Sequence, residues 1–123
     1  IGSRLASESK VTRSFRRQAI SRIYNAILRF VFGFKITDAQ CGFKALSRKA
    51  SQNLIPLVEN NNWFFDSELL IVGYINNQSI AEIPVEWIED SDTRVKITTT
   101  VIEDLLGILR LKLTGVPRIN LKR

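Results

Sequence analysis

Asp38-Ala39-Gln40-Cys41-Gly42-Phe43-Lys44 is the stretch that decides how the rest of the chain is read. Taken as extended, it sends residues two apart to the same side, so Asp38 and Gln40 offer a carboxylate and an amide to one small region. Gly42, which has no Cβ, permits an unusual backbone conformation or the close approach of a ligand, and Phe43 returns the chain to apolar surroundings. A surface turn capped by Asp38 fits the same letters. A second acidic pair, Asp66 and Glu68, sits between the apolar runs Trp63-Phe64-Phe65 and Leu69-Leu70-Ile71. Carboxylates in such company need partners.

The surrounding 123 residues are 45% hydrophobic and 24% charged, which suits one globular core and excludes a disordered chain. The single cysteine, Cys41, excludes an intramolecular disulfide, and nothing resembles a zinc-ligand cluster or a secretory signal, so a reducing compartment is expected. The absence of histidine excludes the usual serine and cysteine triads. With no methionine and an opening Ile1-Gly2-Ser3-Arg4 that reads as the end of a strand, the sequence is expected to be a fragment of a longer protein.

The net charge of +6 is concentrated: Arg4, Lys10, Arg13, Arg16, Arg17, Arg22 and Arg29 face only Glu8 among the first thirty residues. An anionic partner is implied. Composition does not choose between nucleic acid, an anionic membrane surface and a phosphate-bearing substrate.

Ser9 or Thr12 caps a helix that runs to about Phe32 and stops at Gly33. A wheel gives it a wide apolar face of Ile20, Ile23, Tyr24, Ile27, Phe30 and Val31 and a narrower polar face of Ser21, Arg22, Asn25 and Arg29. Arg17 and Ser21 lie four apart, so a guanidinium and a hydroxyl can grip one phosphate together, although a solvated basic helix end has the same spacing. Further predicted elements are a short strand over 43–46, a helix from Arg48 to Val58 capped by Ser47, and a helix from Asp66 to about Asn76 with Asp66 at its N-cap. A strand follows over Ile80 to Glu89, broken or at an edge because of Pro84. The last helix, about Thr98 to Thr114, carries Val101, Ile102, Leu105, Leu106, Ile108, Leu109 and Leu113 on one side. Its charges leave no run long enough to cross a membrane, so it packs on the core or lies in a membrane interface.

Five motifs now fall in order: Gly2-Ser3-Arg4; Arg17 with Ser21-Arg22 and Asn25; Asp38 to Lys44; Trp63 with Phe65-Asp66-Ser67-Glu68-Leu69-Leu70; and Glu82-Ile83-Pro84-Val85-Glu86-Trp87. Together, over roughly residues 2 to 96, they resemble the second half of a family 2 glycosyltransferase, in particular the dolichyl-phosphate β-glucosyltransferases, with the dolichyl-phosphate mannose synthases as nearby relatives. The resemblance implies an α/β fold, part of a GT-A (Rossmann-like) catalytic domain. Residues 1–97 would form its acceptor-side half, and residues 98–123 an amphipathic helix with a basic tail.

By the same resemblance Arg4, Arg17 and Ser21 bind the acceptor lipid phosphate, and Asp38, Gln40, Asp66 and Glu68 are catalytic. Arg94 and Lys96 bind the donor diphosphate. The partners implied are a nucleotide-sugar donor, a polyprenyl-phosphate acceptor and a membrane surface at the cytoplasmic face, and not nucleic acid. A divalent metal, Mg or Mn, is implied for the complete enzyme, with ligands mostly outside these residues and Gln40 the one candidate within them. Asp90-Ser91-Asp92 has the letters of a metal motif but falls in a late loop. A lipid phosphate is already ionised at neutral pH, so an inverting transfer needs positioning more than a strong base. The fragment alone is expected to transfer no sugar. The alternative is a basic module that binds nucleic acid or an anionic membrane without catalysis.

Overall fold

The computed structural model describes residues 1–89 and 97–120. It divides the chain into two units, one built from Ile1–Lys44 and the segment from Ala81 onward, the other from Ala45–Ile80 and the last helix with its tail.

In the first unit, β1 (Gly2–Ser3) pairs in parallel with β3 (Ile83–Pro84), and β2 (Lys10–Thr12) pairs in parallel with β4 (Glu86–Ile88). The single predicted strand over Ile80 to Glu89 is therefore two, split at Val85. Proline has no N–H to continue a ladder, and the chain changes partner there. The Ser9 hydroxyl spans the break: it donates to the Ser3 carbonyl and accepts from the Val85 N–H at 3.0 Å, while the Val85 carbonyl accepts from Lys10 at 2.9 Å. Gly2 is needed at its position because a Cβ would come within 2.6 Å of Val85 Cγ1.

Helix α1 (Phe15–Phe32) is capped by Ser14, whose hydroxyl accepts from the Arg17 N–H at 3.3 Å, rather than by Ser9 or Thr12. Thr12 is already the last residue of β2. The helix ends as expected at Gly33, which adopts φ 66° and returns its N–H to Arg29. Its buried residues are Ser21, Tyr24, Asn25 and Leu28, whereas Ile23 and Phe30 are exposed. The buried stripe thus runs through residues the wheel had placed on the polar face. Ser21 and Asn25 go inside because their polar atoms have partners there: Asn25 accepts the Ala39 N–H at 2.9 Å and donates to the Ser21 carbonyl. After α1 the chain carries buried Phe34 and Ile36 into the turn at Asp38.

In the second unit, α2 (Arg48–Leu54) begins as expected with the Ser47 hydroxyl accepting from Ala50 at 3.1 Å. It tightens into a 3₁₀ turn (Ile55–Leu57) around Pro56 instead of continuing to Val58. Helix α3 (Phe65–Ile75) has Phe64 at its N-cap, with Asp66 and Glu68 both in the first turn. Leu54, Leu69 and Val72 form a buried cluster, covered by Ala50, Leu57, Val58, Phe65, Val116 and Ile119. The Asn76 side chain fastens the tail to α3, donating to the Pro117 carbonyl at 3.0 Å and accepting from Ile119 at 2.8 Å.

Helix α4 (Ile97–Thr114) buries Asp104, Gly107, Ile108 and Leu111 and exposes Ile102, Leu105, Leu106, Leu109 and Leu113. Gly107 is in the core, because the Phe64 ring lies where a Cβ would project. An open groove of about 360 Å³ runs along Ile102, Leu106 and Arg110. Among the described residues no helix is long and apolar enough to cross a membrane. The architecture is mixed helix and strand with small parallel sheets.

Candidate functional site

Asp38 leads directly into a turn at Ala39 and Gln40, so the two-residue alternation of an extended run that paired it with Gln40 does not operate; the predicted strand over 43–46 is likewise irregular backbone. The turn is closed by its own chain. Lys44 Nζ donates to the Ala39 carbonyl at 3.2 Å and to the Cys41 carbonyl, and Asn25 of α1 holds the Ala39 N–H.

The Asp38 carboxylate is fully buried and receives three hydrogen bonds from Arg4: the backbone N–H at 2.9 Å and Nε at 2.8 Å on Oδ2, and Nη2 at 3.0 Å on Oδ1. Burial alone would push the carboxyl up, but the Arg4 bonds and charge outweigh it and hold its pKa below the ordinary value. On Arg4 itself burial opposes the charge, and Asp38 more than restores it. The guanidinium also lies 5.1 Å from the ring centroid of Trp87 in β4, within cation–π range. Arg4 follows directly on β1, so the strand and Asp38 fix its backbone and side chain together.

At the start of α1 two more arginines join. Arg17 Nη1 donates to Glu89 Oε1 at 2.7 Å, just beyond β4. Arg13 reaches the other oxygen of Glu89 at 3.5 Å from Nε, and its Nη1 donates to Ser21 Oγ at 3.0 Å. Arg17 and Ser21 share a helix side as the spacing implied, yet the hydroxyl is taken by Arg13. Helical spacing could not reveal this, because Arg13 precedes the cap at Ser14 and folds back on the helix. Burial, followed by the charge of Arg4, holds the Arg13 pKa below the usual arginine value. Arg4, Arg13, Arg17 and Ser21 therefore form one cluster with Asp38 and Glu89, and Arg13 and Glu89 are the members that the sequence did not place beside Arg4, Arg17 and Ser21.

Of the remaining expected site residues, Gln40 is half-buried in the Asp38 turn. Asp66 is half-buried in the first turn of α3. Glu68 is fully buried and accepts the Glu59 N–H and Asn60 N–H at 3.1 Å each and Arg110 Nη2 at 2.7 Å, so it ties the loop before α3 to α4. Arg94, Lys96 and Asp90-Ser91-Asp92 lie outside the described residues. Among the described residues no three acidic or cysteine side chains come together as a metal site, and both oxygens of Asp38 are taken by Arg4, so the described residues do not fit a metal centre of their own.

What this geometry can do is hold an anion. Three guanidiniums against two carboxylates leave positive charge, and the hydroxyl adds a neutral hydrogen-bonding group. Comparison with known proteins gives the chemistry a context. The chain is 39% identical over 125 residues to glycosyltransferase AglD of Haloferax volcanii, a match covering 97% of the chain and 19% of that relative. It is 33% identical over 129 residues to the dolichyl-phosphate beta-glucosyltransferase of Saccharomyces cerevisiae, covering 99% of the chain and 38% of the relative. With the enzyme of the same name from Homo sapiens it shares 32% over 122 residues, 97% of the chain and 38% of the relative. The chain thus spans from about a fifth to under two fifths of the length of these relatives. No family model and no solved structure matches it. Over nearly its whole length the chain is homologous to a single stretch of these glycosyltransferases.

Proposed function

We propose that the chain is the acceptor-side part of an enzyme that moves a sugar from a nucleotide-sugar onto a dolichyl-type polyprenyl phosphate, and that Arg4, Arg17 and Ser21 hold the acceptor phosphate. The observation that carries the reading is the gathering of three arginines and a serine hydroxyl at the start of α1, with positive charge in excess. The names of the relatives support the lipid phosphate as acceptor. On this reading the small parallel sheets belong to a larger GT-A sheet, with residues 1–97 in its second half, and the divalent cation of the whole enzyme takes its ligands mostly from elsewhere.

The acceptor phosphate supplies its own ionised oxygen, which attacks the anomeric carbon from the side opposite the leaving nucleotide diphosphate. The new C–O bond forms as the bond to the diphosphate breaks, with inversion. No proton need be removed, so a chain without histidine is adequate. The arginines neutralise the acceptor and let two anions approach, while Arg94 and Lys96 are assigned to the departing diphosphate. Catalysis is placed at the cytoplasmic face of a membrane, on which the exposed apolar residues of α4 and nearby Lys112 and Arg118 would rest.

Steady-state kinetics of the complete enzyme, with lipid phosphate and nucleotide-sugar varied separately, tests the acceptor site. Arg17→Ala is expected to raise the KM for the lipid about ten- to a hundredfold, the worth of a charged hydrogen bond to phosphate, and to leave that for the donor nearly unchanged. Arg17→Lys restores charge but not the planar fork and recovers part of the loss. An effect confined to the donor would show the two anion sites to be exchanged. Tight binding of any DNA duplex, lost steeply with salt, would favour the nucleic-acid module instead.

A further inference from the structure

We propose that Arg13 is a further ligand of the acceptor phosphate, and that the Glu89 carboxylate keeps the phosphate's place between Arg13 and Arg17 until the acceptor arrives. The proposal rests on the reading of this cluster as the acceptor site. Glu89 directs one oxygen to Arg17 at 2.7 Å and the other to Arg13 at 3.5 Å, which is how a phosphate would bridge two guanidiniums.

Arg13 is the member whose needs are unmet. Its side chain is only 7% exposed, and its Nε, at 3.5 Å from Glu89, has no hydrogen-bond partner among the described residues. A buried donor of this kind carries a cost that a better-placed acceptor would remove. Burial and the field of Arg4 disfavour its charge by more than Glu89 and Asp38 support it, so a better-placed anion would steady this guanidinium.

The two carboxylates of the cluster differ in how readily they can yield. Asp38 is sealed from solvent and receives three bonds from Arg4, so expelling it would strand a buried charge. Glu89 keeps 18% of its side chain exposed and has one short bond and one long contact. Its carboxylate can turn into water as the phosphate enters, and no covalent bond changes in the exchange.

The test is calorimetric titration of the complete enzyme with citronellyl phosphate in the absence of donor, each variant's folding being checked by its melting temperature. Glu89→Gln removes the competing charge and is expected to bind the probe about two- to fivefold more tightly, the scale of a partly exposed ion pair. Arg13→Ala is expected to bind it about tenfold more weakly or worse. Should Glu89→Gln fail to fold, Glu89→Asp, too short to span both arginines, is expected to share the gain. Inorganic phosphate is expected to bind more weakly than the lipid analogue, and equal affinity would overturn the assignment to a lipid phosphate. Equal or weaker binding by the Glu89 variants, or unchanged binding by Arg13→Ala, overturns the proposal. If Arg17→Ala weakens the probe while the Glu89 variants gain nothing, this proposal falls and the acceptor reading stands. If Arg17→Ala binds as wild type does, the acceptor reading itself falls.

Discussion

In each unit a fully buried carboxylate is held by an arginine, and the two sites are built differently. Asp38 takes its three hydrogen bonds from a single residue, Arg4. Glu68 takes its three from Glu59, Asn60 and Arg110, which lie in a loop and a helix, and Arg110 is also shared with Glu59 at 3.1 Å. The first arrangement immobilises one side chain and aims it into a cluster of like charges. The second binds segments of backbone to one another. A buried acid beside a cation is therefore no sign of chemistry until the source of its bonds is known.

The comparison is broken most forcefully at Glu68. Glu68→Ala would leave two backbone N–H groups and Arg110 without their acceptor, and it is expected to cost about 3–5 kcal/mol in chemical denaturation. A loss below about 1 kcal/mol would show the loop to be held by something else. Asp38→Asn keeps the shape and removes the charge, with an expected loss of about 1–3 kcal/mol and a larger proportional loss in acceptor binding, because Arg4 is no longer aimed. Equal losses in turnover and stability would make Asp38 merely structural.

Acid sharpens the same distinction. The folded pKa of Asp38 lies below its ordinary value of 3.8, so its stabilisation is complete above that value and drains as pH falls through the lower, folded one. Stability of Asp38→Asn is expected to fall less steeply than wild type below about pH 4, the ordinary carboxylate range, when unfolding is followed against pH. The smallest effect belongs to the exposed side of α4. Leu105→Glu with Leu109→Glu is expected to change stability by no more than about 0.5 kcal/mol per site while releasing the complete protein from anionic vesicles in a sedimentation assay. Unfolding would show that these leucines are buried in the working protein.

Local chemistry made several elements legible. Ser47 and Gly33 mark helix ends through hydrogen bonds that depend on one residue, and Pro84 announced a break in pairing. Faces were less legible. On α1 the apolar count favoured Ile23 and Phe30, but burial followed Ser21 and Asn25, whose partners come from Arg13 and Ala39, remote enough that no helical period records them. On α4 the Phe64 ring drew Gly107 inward for the same kind of reason. Of the arginine cluster, Arg4, Arg17 and Ser21 were legible from motif and spacing. Glu89 was not, and Arg13 was read only as one of the basic residues of the helix, since the contacts of a residue before a helix cap and of one after a short strand follow no periodicity.

The hydroxyl of Ser9, which spans the break at Val85, joins residues 76 positions apart in the chain. Neither small sheet can close until the segment after Ala81 has left the ribosome, by which time α2 and α3 are complete. The order of synthesis therefore leaves the arginines of α1 to wait, uncompensated by Glu89, through the making of the whole intervening stretch. Parallel pairings this remote close slowly, and the nascent segment around α1 is for that interval a cationic stretch exposed to the polyanions around it.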